Sequence, residues 1–224
     1  MSPPKLILYL DIVSPFAYLA YHVIRHSPVF AKCEIEYVPV FLGGIMKACS
    51  NTPPLKIKNK GAYMNHERLR WARLFDVPMK ETTPPGFPAN TLPVQRVLTA
   101  VHILFPQRLA ETCDAIYQAS FVDHHPVHEQ ACLLGLLENV HGKDQAQEII
   151  RRSTSDEVKR ELTARTDDVI SKGSFGLPWY IATNAEGEVD HFWGFDNIGA
   201  VAHHLGLEKL ESGSTGRDGW RSML

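Results

Sequence analysis

The pattern of apolar and polar positions predicts four β-strands. A near-continuous apolar run occupies residues 6–10, and alternating apolar and polar residues mark residues 33–41. Two further apolar stretches, residues 179–183 and 189–193, flank the turn residues 184–187. Strand pairs separated by a short segment that contains glycine are typical of an antiparallel hairpin. The first two strands are widely separated in sequence from this hairpin.

A helix is predicted directly after the first strand. Ser14 is a favoured N-cap residue, and Pro15 suits the first helical position because the N–H that proline lacks would have no partner there. Apolar spacing carries the helix to about His26. Strand, helix and strand at this spacing predict a βαβ unit with parallel strands. The helix N-terminus at Ser14 also favours negative charge, although a simple helix cap explains the same residues.

The long segment between the second and third strands is predicted to be helical. Residues 43–54 are rich in glycine and proline and predict a loop, after which apolar residues recur at three- and four-residue spacings. The predicted helices cover residues 67–75, 93–105, 108–124, 129–141, 143–150 and 155–172. Gly173 would end the last of these. A final helix over residues 198–205 would be capped by Asp196 or Asn197.

The order of these elements is that of the thioredoxin fold once the helical segment is removed. We therefore predict an α/β thioredoxin-like fold with an all-helical insertion. Residues 1–43 and 166–211 would form the thioredoxin-like domain, residues 44–165 the insertion, and residues 212–224 a loose tail rich in glycine and serine. The thioredoxin fold places a cis-proline before its third strand, which is the position of Pro178.

Composition and charge favour a small-molecule partner. The 224 residues include 23 basic and 25 acidic ones, so the net charge of −2 offers no pattern for binding nucleic acid or anionic lipid. No apolar run approaches the roughly 20 residues that cross a bilayer, and we expect neither a membrane partner nor a cleaved signal peptide. The four cysteines have no C-x-x-C spacing, which favours a reduced, intracellular setting.

Short motifs spread over nearly the whole chain add a family resemblance. They lie at residues 11–16, 44–47, 51–54, 60–64, 98–101, 175–178 and 194–196. In this order they resemble the kappa class of glutathione transferases and, more broadly, the DsbA-like group that includes 2-hydroxychromene-2-carboxylate isomerase. The redox members of this fold carry C-x-x-C where this chain has residues 14–17, Ser-Pro-Phe-Ala. Because both sulfurs are missing, thiol–disulfide exchange by that route is excluded.

The resemblance implies that Ser14 is the catalytic residue. Its hydroxyl would donate a hydrogen bond to the sulfur of glutathione and favour the thiolate, which is the reactive nucleophile, with help from the helix dipole. Ser14 itself would not attack the substrate. By the same resemblance, Asn51 would assist near the thiol, and Lys60 would pair with the glycine carboxylate of glutathione.

The resemblance also implies a peptide-like binding edge for glutathione. The backbone of Leu177, held by cis-Pro178, would pair with the cysteinyl amide as the edge of a strand pairs with a peptide. Asp196 would bind the γ-glutamyl ammonium. At Phe195 the family tends to have a small hydroxyl residue, so here backbone N–H groups would hold the γ-glutamyl carboxylate.

Three functions are compatible with these residues. The resemblance implies a kappa-class glutathione transferase, with a role in detoxification, that adds the thiolate of glutathione to an electrophilic small molecule. A glutathione-dependent isomerase of a conjugated or aromatic metabolite, in a catabolic or secondary-metabolite pathway, would use the same site. A non-catalytic DsbA-like binding module is the third hypothesis. Glutathione is the expected co-substrate or cofactor, and the family resemblance implies a homodimer.

Two remaining groups of residues carry weaker hypotheses. Asp123, His124, His125 and His128 are of types that bind metals, but no second cluster completes them, and we predict an exposed loop and no metal site. Residues 222–224, Ser-Met-Leu, resemble the peroxisomal S-K-L signal without its basic residue. We therefore expect a cytoplasmic, peroxisomal or mitochondrial protein.

Overall fold

A computed structural model describes residues 2–207 of the chain, so the predicted tail and the C-terminal tripeptide lie outside the described residues. Its four-stranded sheet consists of β1 (Lys5–Leu10), β2 (Glu34–Pro39), β3 (Trp179–Thr183) and β4 (Val189–Trp193). The strand order is β2-β1-β3-β4. β1 is parallel to β2 and antiparallel to β3, which is antiparallel to β4. The predicted βαβ unit and hairpin are confirmed.

Helices make up most of the remaining described chain. They are α1 (Pro15–His26), α2 (Leu42–Ala48), α3 (Lys60–Leu74), α4 (Leu92–Leu104), α5 (Leu109–Tyr117), α6 (Gln130–His141), α7 (Lys143–Ser153), α8 (Asp156–Ser171) and α9 (Ile198–His204). Short 3₁₀ turns cover Pro28–Lys32, Pro54–Lys56, Pro106–Arg108 and Phe195–Asn197, and a π-helical segment at Gln118–Asp123 continues α5. No described helix is both long and apolar enough to span a membrane.

The prediction of a loop over residues 43–54 is wrong at its start, where α2 forms. Gly43 and Gly44 disfavour a helix in isolation, but both approach neighbouring side chains closely. A Cβ atom on Gly43 would lie 2.8 Å from the ring of Phe41, and one on Gly44 would lie 3.3 Å from a methyl group of Thr166. Ile45 is completely buried. Tertiary packing therefore overrides local propensity here.

One helix start and one helix cap also differ from the prediction. α3 begins at Lys60 rather than at residue 67. The sequence does not indicate its first turns because they are mostly exposed and carry little apolar periodicity. At α9, Asn197 occupies the N-cap position but makes no side-chain cap bond. Its Nδ2 instead donates to the carbonyl oxygen of Trp193 at 2.8 Å. Neither Asp196 nor Asn197 caps α9 as predicted.

The sheet separates two apolar layers. Leu8, Leu10 and Tyr180 point to the face that packs against α1 and the larger group of helices. Tyr9 and Trp179 point to the other face, which forms a smaller core with residues of α2 and α8. Of the residues 44–165 proposed as an insertion, none lies in a strand. The proposed boundary after residue 165 falls inside α8, and the division into domains stays a prediction.

Candidate functional site

Strand register brings the ends of four segments to one end of the sheet. Leu10, the last residue of β1, pairs with Pro39 at the end of β2. Tyr9 pairs with Trp179 at the start of β3, which in turn pairs with Trp193 at the end of β4. The chain before α1, the residues that precede β3 and the residues that follow β4 therefore lie at the same end of the sheet. This is where most of the predicted site residues are found.

Ser14 is the N-cap of α1, as predicted. Its side chain is buried, with 6% exposed, and its Oγ accepts a hydrogen bond from the backbone N–H of Ala17 at 3.2 Å. Its backbone N–H donates to the carbonyl oxygen of Asp11 at 3.0 Å. Within residues 2–207 the hydroxyl itself donates no hydrogen bond. The Ser14 proton therefore remains available to a ligand at the helix N-terminus, where a negative charge is favoured.

The loop before β3 presents a free backbone edge. The Leu177-Pro178 peptide bond is cis, as predicted. The carbonyl oxygen of Pro178 accepts a hydrogen bond from the N–H of Gly194 at 3.0 Å, which ties this loop to the end of β4. The backbone N–H and C=O of Leu177 make no hydrogen bond with any other residue that the structure describes. Both groups are free to pair with the backbone of a peptide-like ligand.

Asn51 joins the segment after α2 to this same loop. Its Nδ2 donates to the carbonyl oxygen of Phe175 at 2.9 Å, and its backbone N–H donates to Met46 at 2.8 Å. Nearby, the thiol of Cys49 donates to the carbonyl oxygen of Ser174 at 3.5 Å. The structure thus places Asn51 beside the cis-proline loop, as a contact of the loop backbone.

Phe195 and Asp196 follow β4 in the 3₁₀ turn that lies beside α1. The ring of Phe195 is buried, with 1% exposed, and makes edge contacts with Trp71 and Phe75 at centroid distances of 5.5 and 5.1 Å. Only the backbone of Phe195 can therefore face a ligand. Asp196 is exposed, and its carboxylate forms no ion pair with any residue from 2 to 207, so it is free to bind a cation.

Lys60 is the one predicted site residue for which the structure shows no connection to the others. It is exposed at the first position of α3 and has no ion-pair partner among the described residues. Trp71, near the other end of α3, contacts Phe195. With a rise of about 1.5 Å per helical residue, Lys60 lies roughly 16 Å from Trp71 along the helix axis.

Sequence reasoning singled out no role for Asp11. The structure places it in the interior, three residues before Ser14, whose backbone N–H donates to its carbonyl oxygen. Its carboxylate is completely buried and accepts four hydrogen bonds, from Val13, Leu42, Thr91 and Gln95. Burial raises the pKa of Asp11 above its usual value, and the hydrogen bonds oppose that increase. A charged residue between a fully apolar strand and a helix cap is the sequence feature that could have indicated this.

Within residues 2–207, no three His, Cys, Asp or Glu side chains are arranged to hold a metal ion. The four cysteines are unpaired. Burial raises the pKa of Cys33 to about 11, which makes its thiol a poor nucleophile near neutral pH. The part of the chain that the structure describes thus offers Ser14, rather than a cysteine, at the helix N-terminus.

A family model decides where this arrangement belongs. The model of the DsbA-like thioredoxin domain matches residues 5–206. The chain belongs to this family. The predicted thioredoxin-like fold with a helical insertion is thereby confirmed, since the match includes both the strands and the intervening helices.

Curated relatives of this DsbA-like chain include glutathione transferases. Glutathione S-transferase kappa 2 of Caenorhabditis elegans is 28% identical over 203 residues, covering 88% of this chain and 89% of the relative. Glutathione S-transferase kappa 1 of Rattus norvegicus is 28% identical over 211 residues, covering 92% of each chain. These similarities agree with the resemblance inferred from the motifs.

A solved structure of 2-hydroxychromene-2-carboxylate isomerase has the same fold. It superimposes with a TM-score of 0.74 at 18% sequence identity, covering 90% of this chain and 94% of the isomerase. The DsbA-like chain therefore shares its architecture with this enzyme over almost its full described length.

Proposed function

We propose that this protein is a glutathione transferase of the kappa class, which activates glutathione as a thiolate for addition to an electrophilic small molecule. The observation that carries the proposal is the hydroxyl of Ser14, buried at the N-terminus of α1 with its proton free within the described structure. It lies at the same end of the sheet as the unpaired backbone of Leu177. The similarity to two kappa-class transferases over most of their lengths supports it.

The chemistry requires little from the protein beyond stabilising a negative charge. The thiol of glutathione would lose its proton to water, and the thiolate would accept a hydrogen bond from the Ser14 hydroxyl. The backbone N–H of Phe16, in the first turn of α1, has no partner among the described residues and is a second donor. The thiolate sulfur would then form a bond to the electrophilic carbon of a conjugated substrate, whose π bond breaks and whose displaced electron pair takes a proton from water. With an aryl halide, the carbon–halogen bond breaks instead and halide ion leaves. Ser14 stays unmodified throughout.

Glutathione would bind along the loops at the end of the sheet. The Leu177 backbone would pair with the cysteinyl residue, and the exposed, unpaired carboxylate of Asp196 would bind the γ-glutamyl ammonium. The buried ring of Phe195 leaves only backbone donors for the γ-glutamyl carboxylate. Asn51 would support this binding site indirectly, through its hydrogen bond to the loop at Phe175. Lys60 remains the proposed partner of the glycine carboxylate on the strength of the family resemblance alone.

Exposed aromatic rings next to this loop support an aromatic or conjugated second substrate. Phe175 and Trp193 are 41% and 44% exposed, and their ring centroids lie 4.8 Å apart. Phe175 is two residues before Leu177, and Trp193 immediately precedes Gly194, which is bonded to Pro178. Contiguous exposed apolar surface commonly marks a binding site for apolar ligands.

A glutathione-dependent isomerase is the second candidate, because addition of the thiolate, bond rotation and expulsion of the thiolate need the same site. The shared fold with 2-hydroxychromene-2-carboxylate isomerase agrees with it. The two activities are separated by their products: a transferase releases a glutathione conjugate, whereas an isomerase returns free glutathione.

The test uses the thiolate absorbance of enzyme-bound glutathione, measured in the ultraviolet as a function of pH. The wild-type protein should show bound thiolate near neutral pH. Ser14→Ala should shift the titration towards that of free glutathione and lower turnover of an activated aryl halide about 100-fold, as expected for the loss of one donor to a developing anion. Ser27→Ala is the matched control, since Ser27 is a buried serine that caps the 3₁₀ turn after α1.

Two results would contradict the proposal. One is the absence of a bound thiolate in the wild-type protein, and the other is a Ser14→Ala variant that behaves like Ser27→Ala. The first result would favour a non-catalytic binding module. A homodimer completes the proposal by family resemblance. A cytoplasmic, peroxisomal or mitochondrial location is proposed from the spacing of the cysteines and from the C-terminal Ser-Met-Leu. Light scattering and microscopy of the tagged full chain would test these two points.

A further inference from the structure

The carboxylate of Asp11 is a buried junction between three parts of the chain. Its Oδ1 accepts hydrogen bonds from the N–H of Val13 at 3.0 Å, the hydroxyl of Thr91 at 2.7 Å and the Nε2 of Gln95 at 2.9 Å. Its Oδ2 accepts one from the N–H of Leu42 at 2.9 Å. The residue has no exposed surface.

The partners of Asp11 suit the ionised form. Backbone N–H groups and a side-chain NH₂ are donors only, and a carboxylate is an acceptor only. Three of the four partners, on Val13, Leu42 and Gln95, are of this kind. A carboxylate that satisfies four donors in the interior is costly to disturb, because each donor would be left without a partner.

Three helices begin around this carboxylate. Ser14, three residues after Asp11, is the N-cap of α1, and Leu42 is the first residue of α2. Thr91 is the N-cap of α4, with no cap bond from its own side chain. Asp11 therefore supplies the acceptor that the first N–H of α2 lacks locally, and it holds the start of α4 through the side chains of Thr91 and Gln95. It also fixes the turn that delivers Ser14, through the bonds from Val13 and from Ser14 to Asp11.

The Asp11 carboxylate also connects Ser14 to the cis-proline loop. α2, which is attached to Asp11 through Leu42, ends just before Asn51, and Asn51 holds the carbonyl oxygen of Phe175. The thiol-contacting and backbone-pairing halves of the proposed glutathione site come from distant parts of the chain. This path of hydrogen bonds sets their relative position.

We propose that Asp11 is a positioning residue for thiolate formation, which aims the Ser14 hydroxyl at the sulfur of glutathione by fixing the start of α1 against α2 and α4. This inference rests on the proposed function. Asp11 contacts no substrate and takes no proton in the reaction. Its effect passes through the direction of the Ser14 side chain.

The pH at which bound glutathione loses its thiol proton distinguishes a positioning role of Asp11 from other roles, because each role predicts a different shift. In Asp11→Asn, the thiol of bound glutathione should titrate about one pH unit higher, a tenfold loss of thiolate near neutral pH. A role of the Asp11 charge alone would predict the opposite shift, because removing a nearby negative charge favours the thiolate. A role in folding alone would lower the unfolding temperature without changing this titration.

Thr91→Val and Thr99→Val provide a matched pair in case Asp11→Asn fails to fold. Both threonines are buried in or next to α4, and both donate a hydrogen bond at 2.7 Å. Thr91 donates to Asp11, whereas Thr99 donates to the carbonyl oxygen of Gln95. Thr91→Val should raise the pH at which the bound thiol loses its proton and should lower kcat. Thr99→Val should leave both quantities unchanged.

The outcomes distinguish this inference from the proposed function. If the wild-type protein forms thiolate and Ser14→Ala abolishes it, but Thr91→Val titrates like Thr99→Val, the positioning role of Asp11 is wrong and the proposed function stands. A lower titration midpoint for the bound thiol in Asp11→Asn than in the wild-type protein would also overturn the positioning role. If the wild-type protein forms no thiolate, both proposals fail together.

Discussion

Phe195 shows how a residue at a predicted ligand-binding position can be required by the core. Its ring fills buried space beside the C-terminal end of α3, where it packs edge-on against Trp71 and Phe75. A small hydroxyl residue at this position would leave that space empty. The substitution relative to the family pattern is therefore explained by packing. In the proposed glutathione site, only the backbone at Phe195 is left to bind the γ-glutamyl carboxylate.

Truncation of this ring is expected to destabilise the fold. Phe195→Ala should lower the free energy of unfolding by about 3–5 kcal/mol, because it creates a cavity in the buried core. Tyr63→Ala, which truncates an aromatic ring that is 58% exposed, should change it by less than about 0.5 kcal/mol. Urea denaturation measures both. Similar losses in the two variants would contradict the packing explanation.

His22 gives the protein a predicted dependence of stability on pH. Burial, with a smaller contribution from nearby His26, lowers the pKa of His22 to about 4, although Asp114 opposes the change. The unfolded chain takes up this proton near pH 6.5 and the folded chain does not, so stability is lost as the pH falls from about 6.5 to about 4.

The His22→Gln variant should lose less stability over this range than the wild-type protein. Urea midpoints at pH 7 and pH 5 measure the difference. Equal changes in the midpoint for the two proteins would show that His22 takes up its proton over the same pH range in the folded and unfolded chains.

At the scale of elements, α2 depends on side chains that are remote in sequence. Phe41, its N-cap residue, provides no side-chain cap bond. The N–H of Phe41 instead donates to the Oγ1 of Thr166 in α8 at 3.1 Å, and the N–H of Leu42 donates to Asp11. No local pattern in residues 42–48 indicates these acceptors, and this is why the sequence predicted a loop.

Removal of the Thr166 acceptor is expected to weaken α2. Thr166→Val retains the side-chain shape but leaves the Phe41 N–H unsatisfied, which should cost about 1–3 kcal/mol. Thr163→Val is the matched control: Thr163 lies in the same helix and also donates to a carbonyl oxygen four residues earlier, but it is exposed. Hydrogen exchange at Phe41 and Leu42 should accelerate only in Thr166→Val. Equal protection in both variants would contradict this account of α2.

At the scale of the whole molecule, glutathione should stabilise the native state because its proposed binding site is formed only when the chain is folded and distant loops lie together. At a glutathione concentration 100 times the Kd, the gain is about 2.7 kcal/mol. For a protein of this size, that corresponds to roughly 5–10 °C in the unfolding temperature.

Cysteinylglycine serves as the control ligand for this thermal shift, because it lacks the γ-glutamyl group proposed to bind Asp196. It should give a smaller shift than glutathione at equal concentration, and Asp196→Asn should reduce the difference between the two ligands. Identical shifts for both ligands in the wild-type protein would contradict the role of Asp196.

The sequence by itself determined the strands, most helices, the cap at Ser14 and the cis-proline before β3, because these follow from local periodicity, capping residues and ordered motifs. The confirmed family follows from the same motifs. Only the tertiary structure decided the formation of α2, the burial of Phe195 and the hydrogen bonds of Asp11. Each depends on partners remote along the chain, such as Thr166, Trp71 and Thr91. Acceptors and cavities formed by distant segments leave no local pattern in the sequence.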